Sequence, residues 1–294
     1  MPFAPAIALI NVWQLASGRS DMKIGICAPA TPFSLEDADK VTALAAQHYP
    51  DAELVFHKQC FVEKGHFAGT DTQRLNAFVT MANDPAFDAI WFVRGGYGAC
   101  RIAGDAVGQL KSSAGNKTYM GYSDQGNLLG ALYKAQIGWP VHGPMPADIR
   151  RVGGDKAVVA ALDWLVNGDA KALEKSLKRN EKHVAFNAVT LAMMIGTPIM
   201  PDLKSHVVMI EEVSEHLYAF DRAMFNITTA LKGVGVAGMR LGRVSDIPEN
   251  DRPFGESPIQ IAKRWCEKNR IEFLGHADIG HDNDNKVVPF GILA

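Results

Sequence analysis

The sequence of 294 residues is poor in cysteine, has no long apolar run and carries little net charge. Its four cysteines form no CxxC pair, which argues against a zinc ribbon or a disulfide framework and favours reduced thiols in the cytoplasm. Polar residues interrupt every stretch of about 18 residues, so we expect no membrane-spanning helix. The net charge of −2 gives no electrostatic reason to expect binding to nucleic acid or to an anionic membrane.

The composition is that of a globular protein, with 47% hydrophobic and 21% charged residues. The length predicts about two domains. We place a first domain at 22–166, a linker or exposed arm at 167–183, and a second domain at 184–294. Residues 1–21 are interpreted as an extension outside the fold or an upstream start. A signal peptide is disfavoured, because no Lys or Arg precedes their apolar stretch and Pro2 and Pro5 lie in its front half.

In the first half, short apolar runs alternate with helical patterns. Runs at 23–28, 53–57, 88–93 and 118–120 are each followed by a segment with helical periodicity. This alternation predicts a Rossmann-like α/β domain, with a parallel sheet whose functional loops lie at the carboxyl ends of its strands. Two such loops, 94–98 and 121–124, are therefore predicted to be neighbours across one crevice.

The second half also combines helical patterns with short apolar runs. Expected helices lie at 187–195, 217–231 and 258–269, and expected strands at 206–210, 236–244, 271–273 and 287–290. A G-x-G-x-x-G match at 233–238 follows a predicted helix and precedes a predicted strand. That order is the reverse of a dinucleotide site, so we interpret these glycines as a helix end and predict no nucleotide cofactor.

Ser123 follows the strand KTYMGY directly and precedes a helical pattern. A hydroxyl at such a turn lies near the positive end of a helix dipole, which suits a nucleophile that forms an oxyanion. The alternative is that Ser123 only caps the helix. The stretch also has Gln125 where the hydrolase elbow G-x-S-x-G has its last glycine.

The loop Arg94-Gly95-Gly96-Tyr97-Gly98 has two interpretations. Glycines allow backbone N–H groups to face a ligand without a Cβ clash. One amide of Gly95 or Gly96, together with that of Asp124, would form a two-donor oxyanion hole, worth about 3–4 kcal/mol per donor. The stretch is equally well explained as a tight turn.

A serine nucleophile requires a base and a group that orients the base. His281 lies in a late loop, and Glu211 is predicted to leave an apolar strand for a loop, although a solvated acidic turn would also explain Glu211. The late loop holds His276, Asp278, Asp282 and Asp284 as well, but its spacing matches no standard metal site. Cys100 is a rival nucleophile that a small core residue would explain as well.

Several motifs in one order resemble the LD-carboxypeptidases, serine peptidases that remove the terminal D-alanine from murein tetrapeptides. The motifs are IWFVRGGYGACRI, MGYSDQGNLLGAL, WPVHGPM, AVTLAMMIGTPIMPDL, VVMIEEVSEHLYAFDRAMFNI, VAGMRLGRVSD and GHDNDNKVVPFG. The group also includes microcin-C immunity hydrolases, which cut a related amide. The resemblance runs from about position 22 to the C-terminus. It implies a Rossmann-like nucleophile domain and a smaller, strand-rich α/β domain after it.

The resemblance implies that Ser123 is the nucleophile, His281 the base and Glu211 the carboxylate that orients it. It implies oxyanion donors at Gly95 or Gly96 and at Asp124. It further implies a homodimer that needs no metal or organic cofactor, with an active site at the domain interface that relative domain position gates.

The substrate implied is a small peptide, a muropeptide, or alternatively a microcin-type peptidyl nucleotide. Arg94 is our candidate for reading the substrate carboxylate, against an internal salt bridge. Tyr97 and Tyr122 are candidates for lining the pocket, against simple packing. Gln125-Gly126 and the acidic stretch after His281 depart from the family pattern and bear on substrate preference. A hypothesis from another class is a muropeptide-binding module without turnover.

Overall fold

A computed structural model describes residues 21–293, and our interpretation of residues 1–20 as an extension lies outside this range. Within it, the chain forms two mixed sheets and eight α-helices. The first sheet has the order β10-β5-β4-β3-β1-β2, in which β1 to β5 are parallel and β10 is antiparallel. Its strands are β1 (Lys23–Cys27), β2 (Glu53–Phe56), β3 (Ala89–Phe92), β4 (Thr118–Gly121), β5 (Trp139–His142) and β10 (Val288–Pro289).

Five helices accompany the first sheet: α1 (Leu35–His48), α2 (Asp71–Asn83), α3 (Cys100–Val107), α4 (Gly126–Ala135) and α5 (Gly154–Asn167). The start of α2 follows the sequence closely. Thr70 accepts the Gln73 amide and the Gln73 side chain accepts the Thr70 amide, which is a capping box. The predicted alternation of strand and helix in a parallel α/β sheet is therefore confirmed.

The second sheet has the order β11-β6-β7-β8-β9, with only β11 antiparallel. Its strands are β6 (Lys182–Asn187), β7 (His206–Val213), β8 (Gly238–Ser245), β9 (Phe273–His276) and β11 (Gly291–Ile292). Its helices are α6 (Ala188–Met194), α7 (Leu217–Leu231) and α8 (Pro258–Asn269). The G-x-G-x-x-G glycines lie between α7 and β8, so the predicted helix-then-strand order is confirmed.

Two elements of the second half differ from the sequence prediction. The sequence analysis missed β6, because it assigned no element to the residues before its predicted helix at 187–195. Asn187 ends the strand and caps α6 by accepting the Thr190 amide at 3.0 Å. The expectation that Glu211 leaves its strand for a loop is also wrong. Strand β7 continues to Val213, and Glu211 is fully buried within it.

The predicted linker is packed against the rest of the protein near its middle. Leu173 forms a bridge with Val287, and the buried Glu174 carboxylate accepts the amide of Asp278 at 3.0 Å. This part of the segment is therefore no exposed arm. It supports the late loop that carries His281.

The C-terminal segment joins the two sheets. Val288–Pro289 pairs with β5 of the first sheet, and Gly291–Ile292 then pairs with β6 of the second. One apolar cluster contains buried side chains from α4, β6, α6 and the turn at Phe290. This cluster spans elements of both sheets, and gating of activity by relative domain position stays a prediction. No helix within residues 21–293 is long and apolar enough to span a bilayer.

Candidate active site

Parallel pairing brings the two predicted loops together. Strands β3 and β4 are neighbours with Trp91 opposite Met120, so the loops after Phe92 and Gly121 leave the same edge of the sheet. The prediction that they are neighbours is confirmed. A cavity of about 270 Å³ lies there, lined by Arg94, Gly95, Gly96, Tyr122, Ser123, Met145, Ala147, Asp148, Arg150, Arg151 and His281.

Ser123 has a backbone conformation that serine rarely adopts. Its φ is +60°, between the extended Tyr122 and a short 3₁₀ turn that leads into α4. A left-handed serine on a strand-to-helix turn is the geometry of a nucleophile elbow. The residue that caps α4 is Gln125, and the Ser123 hydroxyl donates to no residue in the described range. The capping interpretation of Ser123 is therefore wrong.

The glycine loop lies directly against this serine. A Cβ built on Gly95 would lie 2.8 Å from the Ser123 Oγ, and one on Gly96 would lie 2.6 Å from the Thr31 Cγ2. Gly96 also has a φ of +93°. Thr31 fixes the loop from the other side, because its hydroxyl donates to the Gly95 carbonyl at 2.8 Å. Glycine is thus required here for close approach and conformation.

Two residues after Ser123 tie the elbow to the glycine loop. The Asp124 carboxylate accepts the Ala99 amide at 2.7 Å, and the Gln125 side-chain amide donates to the Arg94 carbonyl at 2.8 Å. Burial raises the pKa of Asp124 to about 6, although the amides of Ala99 and Gly98 oppose this shift. Gln125 is fully buried and outside the cavity lining, so this departure from the family pattern supports the loop.

His281 and Glu211 form a buried pair. Their Nδ1 and Oε2 atoms lie 2.6 Å apart, and the side chains are 8% and 0% exposed. The carboxylate accepts the Nδ1–H, which leaves Nε2 of the neutral ring as an acceptor. Burial lowers the pKa of His281, but the charge of Glu211 and this hydrogen bond outweigh burial, so the net pKa is raised. His281 lines the same cavity as Ser123.

The two tyrosine candidates lie in different places. Tyr122 lines the Ser123 cavity, and its ring lies 4.8 Å from that of His281. Its hydroxyl donates to Asp148 at 2.7 Å. This hydrogen bond holds the Tyr122 ring in place, so the ring also supports the imidazole by packing. Tyr97 is 54% exposed and lies outside this cavity, against the rings of His66 and Phe67.

The cavity is rich in positive charge. Arg150 pairs with Asp37 at 2.6 Å and Arg151 with Asp148 at 3.0 Å. Arg94 donates to the Pro32 carbonyl at 3.1 Å and forms no ion pair within residues 21–293. Burial and repulsion from Arg150 lower the pKa of Arg94, and Asp37 opposes this only in part. The salt-bridge interpretation of Arg94 is therefore wrong, and its charge is available to a ligand.

Cys100 faces a second cavity of about 530 Å³ between α3 and α6. Its thiol is exposed, but partial burial and the nearby Asp124 raise its pKa, which disfavours the reactive thiolate. The cavity of Ser123 does not include it. These observations argue against Cys100 as the nucleophile.

Sequence reasoning missed the segment after β5. Asp148, Arg150 and Arg151 all line the cavity, from the 3₁₀ turn Pro146–Arg150 and the residue after it. The signal was present, because two adjacent arginines follow shortly after the WPVHGPM motif. At that edge of a parallel sheet, charged side chains often contact a ligand.

The comparisons with known proteins agree with this arrangement. The profile of the LD-carboxypeptidase N-terminal domain matches residues 24–143, and that of the C-terminal domain matches residues 183–294. The chain belongs to the LD-carboxypeptidase family of peptidases. The resemblance drawn from the sequence motifs is thus confirmed.

A relative and two solved structures show the extent of the family match. The murein tetrapeptide carboxypeptidase of Pseudomonas aeruginosa is 25% identical over 97% of this chain and 94% of its own. The muramoyltetrapeptide carboxypeptidase of Oxalobacter formigenes has a TM-score of 0.75 and 21% identity over 92% of this chain and 93% of its own. MccF in complex with glutamyl sulfamoyl guanosine has a TM-score of 0.75 and 16% identity, over 94% and 93%. At these identities the two structures show the shared fold of the LD-carboxypeptidase family.

Proposed function

We propose that this protein is a serine peptidase that hydrolyses an L,D-amide bond and releases the terminal D-alanine from murein tetrapeptides. The observation that carries the proposal is the buried His281–Glu211 pair, at 2.6 Å, in the cavity that also contains the left-handed Ser123. Relatives named murein tetrapeptide carboxypeptidase support this choice of substrate.

In the proposed mechanism, His281 Nε2 removes the proton of Ser123 as Oγ attacks the scissile carbonyl carbon. Glu211 holds the imidazole and stabilises its cation. Amides of Gly95 or Gly96 and of Asp124 stabilise the tetrahedral oxyanion. When the C–N bond breaks, His281 protonates the amine of the departing D-alanine. A water molecule, deprotonated by His281, then attacks the ester on Ser123; the C–O bond breaks and Oγ regains its proton.

The glycine loop provides a sharp test of this oxyanion hole. Gly95→Ala places a methyl group within 3 Å of the Ser123 Oγ and Cβ, so the nucleophile or the loop must shift. We expect kcat for D-alanine release to fall about 10²–10³-fold, the cost of losing one oxyanion donor. The matched control is Gly115→Ala, where a Cβ meets no atom within 4 Å. Equal activity of the two variants would contradict the assignment.

Arg94 is proposed to bind the C-terminal carboxylate of the substrate. We expect Arg94→Gln to lower kcat/KM about 10–100-fold, which is the loss of one charge-assisted hydrogen bond. The same variant should lose the preference of the wild type for a tetrapeptide with a free carboxylate over its C-terminal amide. Arg179→Gln, an exposed arginine outside the cavity, is the control. If Arg94→Gln keeps the preference, another group reads the carboxylate.

The substrate itself is tested by incubating the purified protein with a murein tetrapeptide and, separately, with a peptidyl-aminoacyl adenylate, followed by mass spectrometry. We expect D-alanine and the tripeptide from the first. Cleavage of the adenylate alone would show the microcin-type activity that the shared fold with MccF also accommodates. Tight binding of the tetrapeptide without product over hours would show a binding module.

The family resemblance supports three further proposals, on the domain boundaries, the assembly and the location of the protein. Residues 22–166 are the nucleophile domain, 184–294 supply Glu211 and His281, and 167–183 connect them. We also propose a homodimer in the cytoplasm. Light scattering on the purified protein tests the assembly, and a mass near that of one 31.9 kDa chain would contradict it.

A further inference from the structure

His281 is carried by a loop that regular structure does not fix. Residues 277–287, between β9 and β10, contain no helix or strand. Yet the imidazole of His281 meets the Glu211 carboxylate at 2.6 Å, and catalytic groups must be held within about 0.5 Å of their productive positions. Other contacts must therefore hold this loop.

Arg243 on β8 holds the loop on both sides of His281. Its Nη2 lies 2.8 Å from one oxygen of Asp282, and its Nε donates to the other. Its Nη1 donates to Asp278 at 2.5 Å, and its backbone amide donates to the Ile279 carbonyl at 2.8 Å. One guanidinium thus binds the carboxylates three residues before and one residue after the histidine.

Close packing leaves this contact little freedom. A Cβ on Gly280 would lie 2.9 Å from both Cβ and Nε of Arg243. A Cβ on Gly242 would lie 2.6 Å from the Ile279 carbonyl oxygen and 3.0 Å from the Cβ of Glu211. The two glycines let the loop lie directly on β8, next to the strand that carries Glu211.

A second, uncharged contact ties the loop to the first sheet. The Asn285 side-chain oxygen accepts two hydrogen bonds, one from the backbone N–H of Gly280 and one from the Nε2–H of His142, each at 3.1 Å. Burial lowers the pKa of His142 to about 4, so its ring is neutral. The loop is thus held from β5 through Asn285 and from β8 through Arg243.

We propose that Arg243 is a positioning residue for the reaction, which fixes His281 against Glu211 by binding Asp278 and Asp282. The inference rests on the proposed function, in which His281 is the base. It also explains the acidic stretch after His281: the carboxylate that departs from the family pattern at Asp282 has its partner on β8 rather than in the substrate.

Arg243→Gln removes the planar fork and leaves Asp278 and Asp282 without their shared cation. We expect kcat for D-alanine release to fall about 100-fold while KM changes less than about threefold, because a small displacement of the base affects chemistry more than binding. Arg243→Lys should recover part of this loss, since one ammonium supplies charge but cannot form the bidentate contact. Asp284→Asn, an exposed carboxylate of the same loop, is the matched control.

The direct readout is the proton between His281 Nδ1 and Glu211, observed by NMR of the full chain labelled with ¹⁵N-histidine and assigned by its absence in His281→Gln. A short charge-assisted hydrogen bond gives a strongly downfield signal. We expect this signal in the wild type and Asp284→Asn, and its loss or upfield shift in Arg243→Gln with circular dichroism unchanged. If Arg243→Gln does not fold, Asp282→Asn takes its place, and we expect the same loss or upfield shift of the signal and the same fall in kcat.

The two claims fail separately. A wild type that shows the signal but hydrolyses no peptide overturns the proposed function and leaves the positioning role. A folded Arg243→Gln that retains the signal, with kcat within about twofold of the wild type, overturns the positioning role and leaves the function.

Discussion

Ser123→Ala is expected to lower the rate of D-alanine release from a murein tetrapeptide by at least about 10⁴-fold. The substitution removes the attacking oxygen, and in the described range no second serine, threonine or cysteine lines the cavity to replace it. The one other hydroxyl in that lining, of Tyr122, donates to Asp148. Residual activity would come from the oxyanion donors and from substrate binding. The measurement is D-alanine released per active protomer over hours, quantified by mass spectrometry.

The control for this variant is stability. Because the Ser123 hydroxyl makes no hydrogen bond with residues 21–293, its removal should leave the midpoint of thermal unfolding almost unchanged. The substitution also leaves the strain of the left-handed backbone unchanged, since alanine has the same steric limits as serine. Ser112→Ala, at an exposed position, should retain full activity. Activity of Ser123→Ala above a tenth of the wild type, together with inactivation by Cys100→Ser, would favour the cysteine alternative.

Glu211→Gln is expected to lower kcat about 10³–10⁴-fold, as the loss of the orienting carboxylate does in related arrangements. The glutamine is nearly the same size but carries no charge to stabilise the imidazolium. Its side-chain amide can also donate where the carboxylate can only accept, which disturbs the tautomer of His281. The measurement is kcat with the tetrapeptide as substrate.

The pH dependence of kcat/KM gives an independent test of the Glu211→Gln variant. The base must be neutral, so kcat/KM rises with pH through the pKa of His281. Burial lowers this pKa, but Glu211 outweighs burial, so the wild-type midpoint should lie above the ordinary value of about 6.5. Without Glu211, burial and the charge of Arg151 lower the pKa of His281 against only the smaller effect of Asp148, so the midpoint should move to lower pH. Glu215→Gln from the same acidic stretch is the control; an unmoved midpoint in Glu211→Gln would contradict the pairing.

The first half of the candidate site could be predicted from the sequence because its signals are local. The residues that form the buried strand Ala89–Phe92 lie within a few positions of one another, and so do those of the capping box Thr70–Gln73. Parallel pairing then places the ends of neighbouring strands at one edge, so the meeting of the Gly95 loop with Ser123 follows from topology. The left-handed conformation of Ser123 and the approach of Asp148, Arg150 and Arg151 to the cavity had to come from coordinates.

The second half of the site depends on contacts far apart in sequence. The apolar run through Phe186 and Leu191 is compatible with strand and helix alike, so β6 could not be separated from α6 by periodicity. The two-residue strand Val288–Pro289 lies within the predicted strand at 287–290, but no local pattern predicts that it pairs with β5 across about half the chain. The sequence suggests a strand end at Glu211 because charged side chains are rarely buried. Its partner His281 comes 70 positions later, so no local pattern links the two residues.

The central claim is tested most directly by a crystal structure of Ser123→Ala with a bound murein tetrapeptide. We expect the scissile carbonyl carbon about 3–3.5 Å from the position that the Oγ of Ser123 has in the wild type, as in a near-attack geometry. The carbonyl oxygen should face the amides of the Gly95–Gly96 loop and Asp124, and His281 Nε2 should lie on the side of the departing D-alanine. A tetrapeptide bound in the cavity of Cys100, with its scissile carbonyl away from residue 123, would contradict the account.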